Sequence, residues 1–164
     1  MIPNQYENAE KFRIYITQVG SKFQRFKRTK DFCEIFLYER AEDMRKDIEK
    51  AIGVHGMFLD LFDAEHCKAC TCKECYLSDY SENRKGIIFI NFESADQGVA
   101  IHEIIHFVLH YFKVKYKDSK DAFAELWENQ EEMAYLVQSL EQQFHEGFWN
   151  SKIFKAKKKL WKMK

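Results

Sequence analysis

Two histidines four residues apart, with a glutamate beside the first, are the most chemically specific feature of the chain: His102-Glu103-Ile104-Ile105-His106. On a helix, residues at this spacing leave the same face about one turn from each other. Two neutral imidazoles so placed can bind one Zn²⁺. Glu103, rotated about 100° from His102, is placed to take a proton from water attacking a carbonyl, the chemistry of metal-assisted hydrolysis. The competing reading is an accidental match on an ordinary helix, which three fixed letters produce in a chain this long on the order of one time in a hundred. Ile101, Ile104, Ile105 and Val108 predict a buried helix, in which two histidines one turn apart need a polar partner.

A catalytic zinc takes three protein ligands and keeps an open position. The metzincin pattern needs Gly and His where this chain has Leu109 and Phe112, which excludes that class. His110 lies about 12 Å along the helix axis from His102 and reads as an orienting or surface residue. Candidates for the third ligand come from the next helix, where Glu131 and Glu132 follow His106. Met133, Val137, Leu140 and Phe144 are expected to form its core stripe, with Glu131 on the opposite side beside Ala134 and Tyr135. Glu132 falls between the faces, nearer solvent. A solvated pair of carboxylates is the bland alternative. Of the two, Glu131 is the expected ligand, because small Ala134 on its face permits a close helix approach.

A second candidate metal site is Cys67-x-x-Cys70-x-Cys72-x-x-Cys75. Four thiolates can close a structural zinc tetrahedron, with His66 available in place of one cysteine. Disulfides, free thiols or ligands shared between subunits are the alternatives. Two zinc ions per chain are therefore expected, one catalytic and one structural. Cys33, alone in an apolar strand, reads as a core residue.

The elements that must position these groups follow from periodicity. Residues 11–18 alternate as a half-buried strand, and residues 32–38, 57–62 and 86–91 read as further strands. Residues 39–52 are helical in pattern. Ser94-Ala95-Asp96-Gln97 forms a capping box for a helix over 95–112, and another helix is expected over 120–145. This order predicts an α+β fold: a small mixed sheet packed on the helix of the histidine motif and on the helix after it. Residues 1–150 read as one domain with a cysteine-rich insertion at 63–84, followed by a basic tail at 151–164.

The formal charge of zero conceals an imbalance, because the tail has seven lysines and no acid, leaving residues 1–150 at −7. In the tail, Ile153, Phe154, Ala156, Leu160 and Trp161 recur at helical spacing. Two readings are open: a terminal helix packed on the acidic body, or a contact for nucleic acid, another polyanion or a membrane surface. Lys22, Arg25, Lys27, Arg28 and Lys30 read as a solvated basic loop. The start lacks signal-peptide character and no apolar run is long enough to span a bilayer, so a cytoplasmic protein is expected.

Residues 86–91, the motif at 102–106, and Glu131 followed by Ala134-Tyr135-Leu136-Val137 together resemble the short gluzincin-type metallopeptidases of phages and bacterial mobile elements. They are similar, more loosely, to the ImmA/IrrE peptidases. The resemblance covers residues 86–140. It implies a minimal zincin-like fold, zinc on His102, His106 and Glu131, Glu103 as general base, a protein or peptide substrate, and the host cytoplasm if the protein is phage-encoded. Tyr135 stands where ImmA/IrrE members usually carry Asn, a departure that points away from a repressor as target. The rival from another class is a non-catalytic, zinc-stabilised binding protein associated with nucleic acid through the cysteine cluster and the lysines.

Overall fold

The computed structural model describes residues 9–19, 26–47, 56–60, 83–93 and 97–161. The fold is α+β. Strand β1 (Ala9–Val19) pairs antiparallel with β2 (Phe26–Tyr38), and α1 (Ala41–Asp47) follows. Strands β3 (Gly56–Asp60) and β4 (Arg84–Asn91) complete a mixed sheet of order β1-β2-β4-β3. β4 runs parallel to β2 and antiparallel to β3, which leaves β1 and β3 as the edges among the described residues. Helices α2 (Gln97–Lys115), α3 (Ala122–Glu128), α4 (Gln130–Asn150) and α5 (Lys152–Trp161) follow in sequence.

The central strands are apolar on both faces because both faces are covered. Toward the helices, Ile14, Ile16, Cys33, Ile35, Leu37, Ile88 and Ile90 meet Ala100, Ile104, Phe107, Val108 and Phe112 of α2 and Leu136, Leu140 and Phe144 of α4. On the opposite face the Phe36 and Phe89 rings lie 5.2 Å apart, and Asn91 Nδ2 donates to Met44 Sδ of α1 at 3.8 Å. That face also holds a buried ion pair, Arg84 Nη1 to Glu34 Oε2 at 3.1 Å. Burial, and then the Glu34 charge, push the Cys33 thiol well above its ordinary pKa, so it is the inert core residue expected.

Two elements differ from the sequence reading. β2 starts at Phe26, so Lys27, Arg28 and Lys30 belong to a strand rather than a loop, while Lys22 and Arg25 lie outside the described residues. Lys27 and Arg28 pair with Gln18 and Thr17 of β1, and the charged side chains of Lys27, Arg28 and Lys30 are exposed; Arg28 leans over the Tyr15 ring at 5.7 Å. The helix expected over 120–145 is broken at Asn129. Asn129 caps α3: its backbone N–H keeps the helical bond to the Glu125 carbonyl at 3.0 Å, and its side-chain Nδ2 donates to the same oxygen at 2.7 Å.

For the basic tail, the structure gives the first of the two readings left open by the sequence, since Lys152–Trp161 is a helix packed on the body. Ile153 is 8 % exposed and belongs to the same core. The Glu10 carboxylate accepts from the backbone N–H groups of Lys152 and Ile153, each at 2.8 Å, and Ser151 Oγ accepts from Phe154 N at 3.1 Å. A remote carboxylate and a local hydroxyl thus satisfy the open amides of the helix start. Lys157 Nζ lies 4.5 Å from the Phe92 ring, whereas Lys152, Lys155, Lys158 and Lys159 are exposed.

Besides the shared core, two specific contacts join α4 to β1. The register shifts between Tyr15 and Thr17, and Gln143 spans that irregularity: its Oε1 accepts from Tyr15 N at 2.8 Å and its Nε2 donates to Tyr15 O at 2.9 Å. Gly147 lies against Phe12, where a Cβ would overlap the ring, so a residue that weakens an isolated helix is required for this approach.

Candidate metal centre

Helix α2 divides by its own periodicity. Ala100, Ile104, Phe107, Val108 and Phe112 are buried against the sheet and α4, whereas His102, Ile105, His106 and Leu109 are exposed on the outer face. The expectation that Ile105 and the two histidines are buried is therefore corrected: all three are exposed, Ile105 by 42 %. One sheet and one neighbouring helix cover only part of a cylinder's circumference. Burial consequently does not oblige the two histidines to have a partner.

Their geometry carries the case instead. His102 Nε2 and His106 Nε2 lie 3.1 Å apart, with ring centroids at 4.7 Å and an interplanar angle of 75°. Two nitrogens on a tetrahedral zinc, each about 2.0–2.1 Å from the ion, are separated by about 3.3 Å. The pair thus has the bite of one zinc, and its exposure leaves the outward positions open to water and substrate. The same separation suits an N–H···N hydrogen bond when one ring carries its proton on Nε2 and the other does not.

Glu103 leaves α2 on the inner flank and is 7 % exposed, beside the start of β3. His110, one turn beyond His106, is half-buried.

The first turn of α4 is organised differently. Its buried residues are Leu136, Ser139, Leu140, Gln143 and Phe144, with Met133 and Val137 only half-buried. The core stripe is therefore rotated by about 60° from the expected one, toward Glu132. Both oxygens of Glu132 accept from Lys115 Nζ, at 2.6 and 2.7 Å, and Glu131 and Ala134 are exposed. Glu131 thus stays on the side away from the core stripe, while Glu132 is half-buried in its ion pair and not free in solvent.

Lys115 stands nine residues after His106, about 13 Å farther along α2. Its pairing sets the start of α4 near the far end of that helix. Among the described residues, no group of three or more His, Cys, Asp or Glu side chains is arranged to hold an ion. Partial burial pulls the Lys115 ammonium down, but the hydrogen bond and charge of Glu132 outweigh it and the net pKa shift is upward. Desolvation raises the neighbouring Tyr111 phenol.

No protein-family model, curated protein or solved structure matches the chain. The resemblance drawn over residues 86–140 rests on those residues alone. Cys67, Cys70, Cys72, Cys75 and His66 lie outside the described residues. Among the described residues, no helix is long and apolar enough to cross a membrane.

Sequence reasoning did not find Gly56 or Glu10. The first is a small residue at a strand start, and the second a carboxylate 142 residues from the amide it caps. Spacing along the chain carries no signal for either contact.

Proposed function

We propose that the chain is a zinc-dependent hydrolase of peptide bonds, of minimal zincin-like type, with its metal on His102 and His106. The supporting observation is the convergence of the two Nε2 atoms to 3.1 Å on an exposed helix face. The donor set fits zinc, since neutral imidazole is among its preferred ligands and two rings one turn apart form a chelate. A bound zinc supplies Lewis acidity, acidifying water and polarising a substrate carbonyl.

In this reading Glu103 accepts the proton of the attacking water on a carboxylate oxygen and returns it to the leaving amine. Its partial enclosure between α2 and β3 limits its rotamers, which favours one orientation during turnover. The exposed face around Ile105 and Leu109 gives an extended peptide access from outside. Glu131, the third ligand implied by the family resemblance, is exposed, and the observation behind this reading is the histidine pair with Glu103 beside it.

The test is a zinc titration against a competing chelator, followed by hydrolysis of denatured casein by the zinc-loaded protein. Zinc-dependent cleavage that disappears in both His102→Ala and His106→Ala supports the reading. Zinc binding that survives both substitutions with unchanged stoichiometry would remove this site from it.

A further inference from the structure

We infer that Gly56 is a positioning residue for Glu103: the edge strand β3 carries no side chain at the point where the carboxylate of α2 must lie. The inference rests on the hydrolase reading and extends it to a residue outside the histidine motif. Gly56 pairs with Ile90, which fixes its height in the sheet. A Cβ built there would lie 2.7 Å from Val99 Cγ1, 3.2 Å from Glu103 Cγ and 3.3 Å from Glu103 Oε1. Val99 and Glu103 are four residues apart, so a single turn of α2 presents both to the same glycine. The backbone of Gly56 is outside the left-handed region, so the requirement is for space and not for an unusual dihedral angle.

The consequence follows from the stiffness of the neighbours. Val99 is β-branched, with one strongly preferred rotamer in a helix, and cannot swing away from an added methyl group. Glu103 has more rotatable bonds and yields more easily, by moving its carboxylate away from β3. Misplacing a reacting group by about 1 Å can lower a rate by about a hundredfold. Gly56→Ala therefore perturbs packing through Val99 and chemistry through Glu103, and the two effects are separable. Val99→Ala removes the worse clash, so in the double variant Gly56→Ala/Val99→Ala the remaining tight contact is with Glu103.

The experiment compares wild type, Val99→Ala and the double variant as full-length, zinc-loaded protein. The readouts are zinc affinity by chelator competition, thermal unfolding, kcat and KM on a fluorogenic casein digest, and the carboxyl ¹³C resonance of Glu103, assigned by its loss in Glu103→Gln. Relative to Val99→Ala, the double variant is expected to keep its unfolding midpoint and its zinc affinity, with KM within about twofold. Its kcat falls by about tenfold or more, and the Glu103 resonance moves. Equal kcat and an unmoved resonance in the two variants would overturn the assignment and leave Gly56 a packing residue. A wild-type protein that binds zinc and cleaves nothing defeats the hydrolase reading, and the resonance alone then decides whether Gly56 places Glu103.

Discussion

The outer face of α2 and the first turn of α4 both carry groups able to bind a metal, and different forces organise them. On α2 the two histidines meet because a helix repeats every 3.6 residues, and the ring nitrogens converge to 3.1 Å with no help from another element. On α4 the roles of Glu131 and Glu132 depend on how the helix rolls against the sheet. That roll is set by Leu136, Leu140 and Gln143 and is then held by the ion pair from Glu132 to Lys115. A local chelate survives small errors in packing, whereas a ligand from a second helix is lost with a rotation of one residue.

The largest expected effect tests the local half of this comparison. Glu103→Gln should lower peptide hydrolysis by about 10²- to 10⁴-fold with zinc still bound, since an amide cannot accept the water's proton. Wild-type turnover by this variant would break the assignment of the motif. His102→Ala and His106→Ala should each weaken zinc binding by more than the roughly tenfold to hundredfold typical of outer-shell losses. Glu131→Ala should change the affinity little, and a fall of about tenfold or more would show that α4 engages the ion in an arrangement other than this one.

Stability measurements test the packing half. Leu136→Ala should cost about 2–5 kcal/mol as a fully buried truncation, and half-buried Val137→Ala clearly less, by chemical denaturation. The opposite order would return the core stripe to the face expected from sequence. Gln143→Ala should cost about 2–3 kcal/mol, because it leaves the N–H and C=O of Tyr15 without their partner in a part-buried place.

The smallest effect concerns the clamp itself. Both side chains of the Lys115–Glu132 pair are 33 % exposed, so Glu132→Gln should cost only about 0.2–1 kcal/mol at neutral pH. The Lys115 pKa is raised in the folded protein. The contribution of the pair is therefore complete below the ordinary lysine range and lost as the pH climbs through the shifted value. Wild type and Glu132→Gln should converge in stability in strongly alkaline solution, and a gap that widens there would contradict the pairing.

Sequence alone determined what depends on short-range geometry. The alternation of β1, the apolar runs of β2 and β4, the α+β order and the pairing of His102 with His106 all follow from side-chain periods of 2 and 3.6, which are local properties of the backbone. Tertiary structure decided what depends on contacts between distant segments. Ser151 and Glu10 turn a lysine-rich tail into a docked helix, and the core rolls α4 so that Glu132 faces Lys115 while Glu131 faces solvent. Gly56 acquires its meaning only when β3 is laid beside Glu103, because an absent side chain has no pattern until a neighbour fills its space.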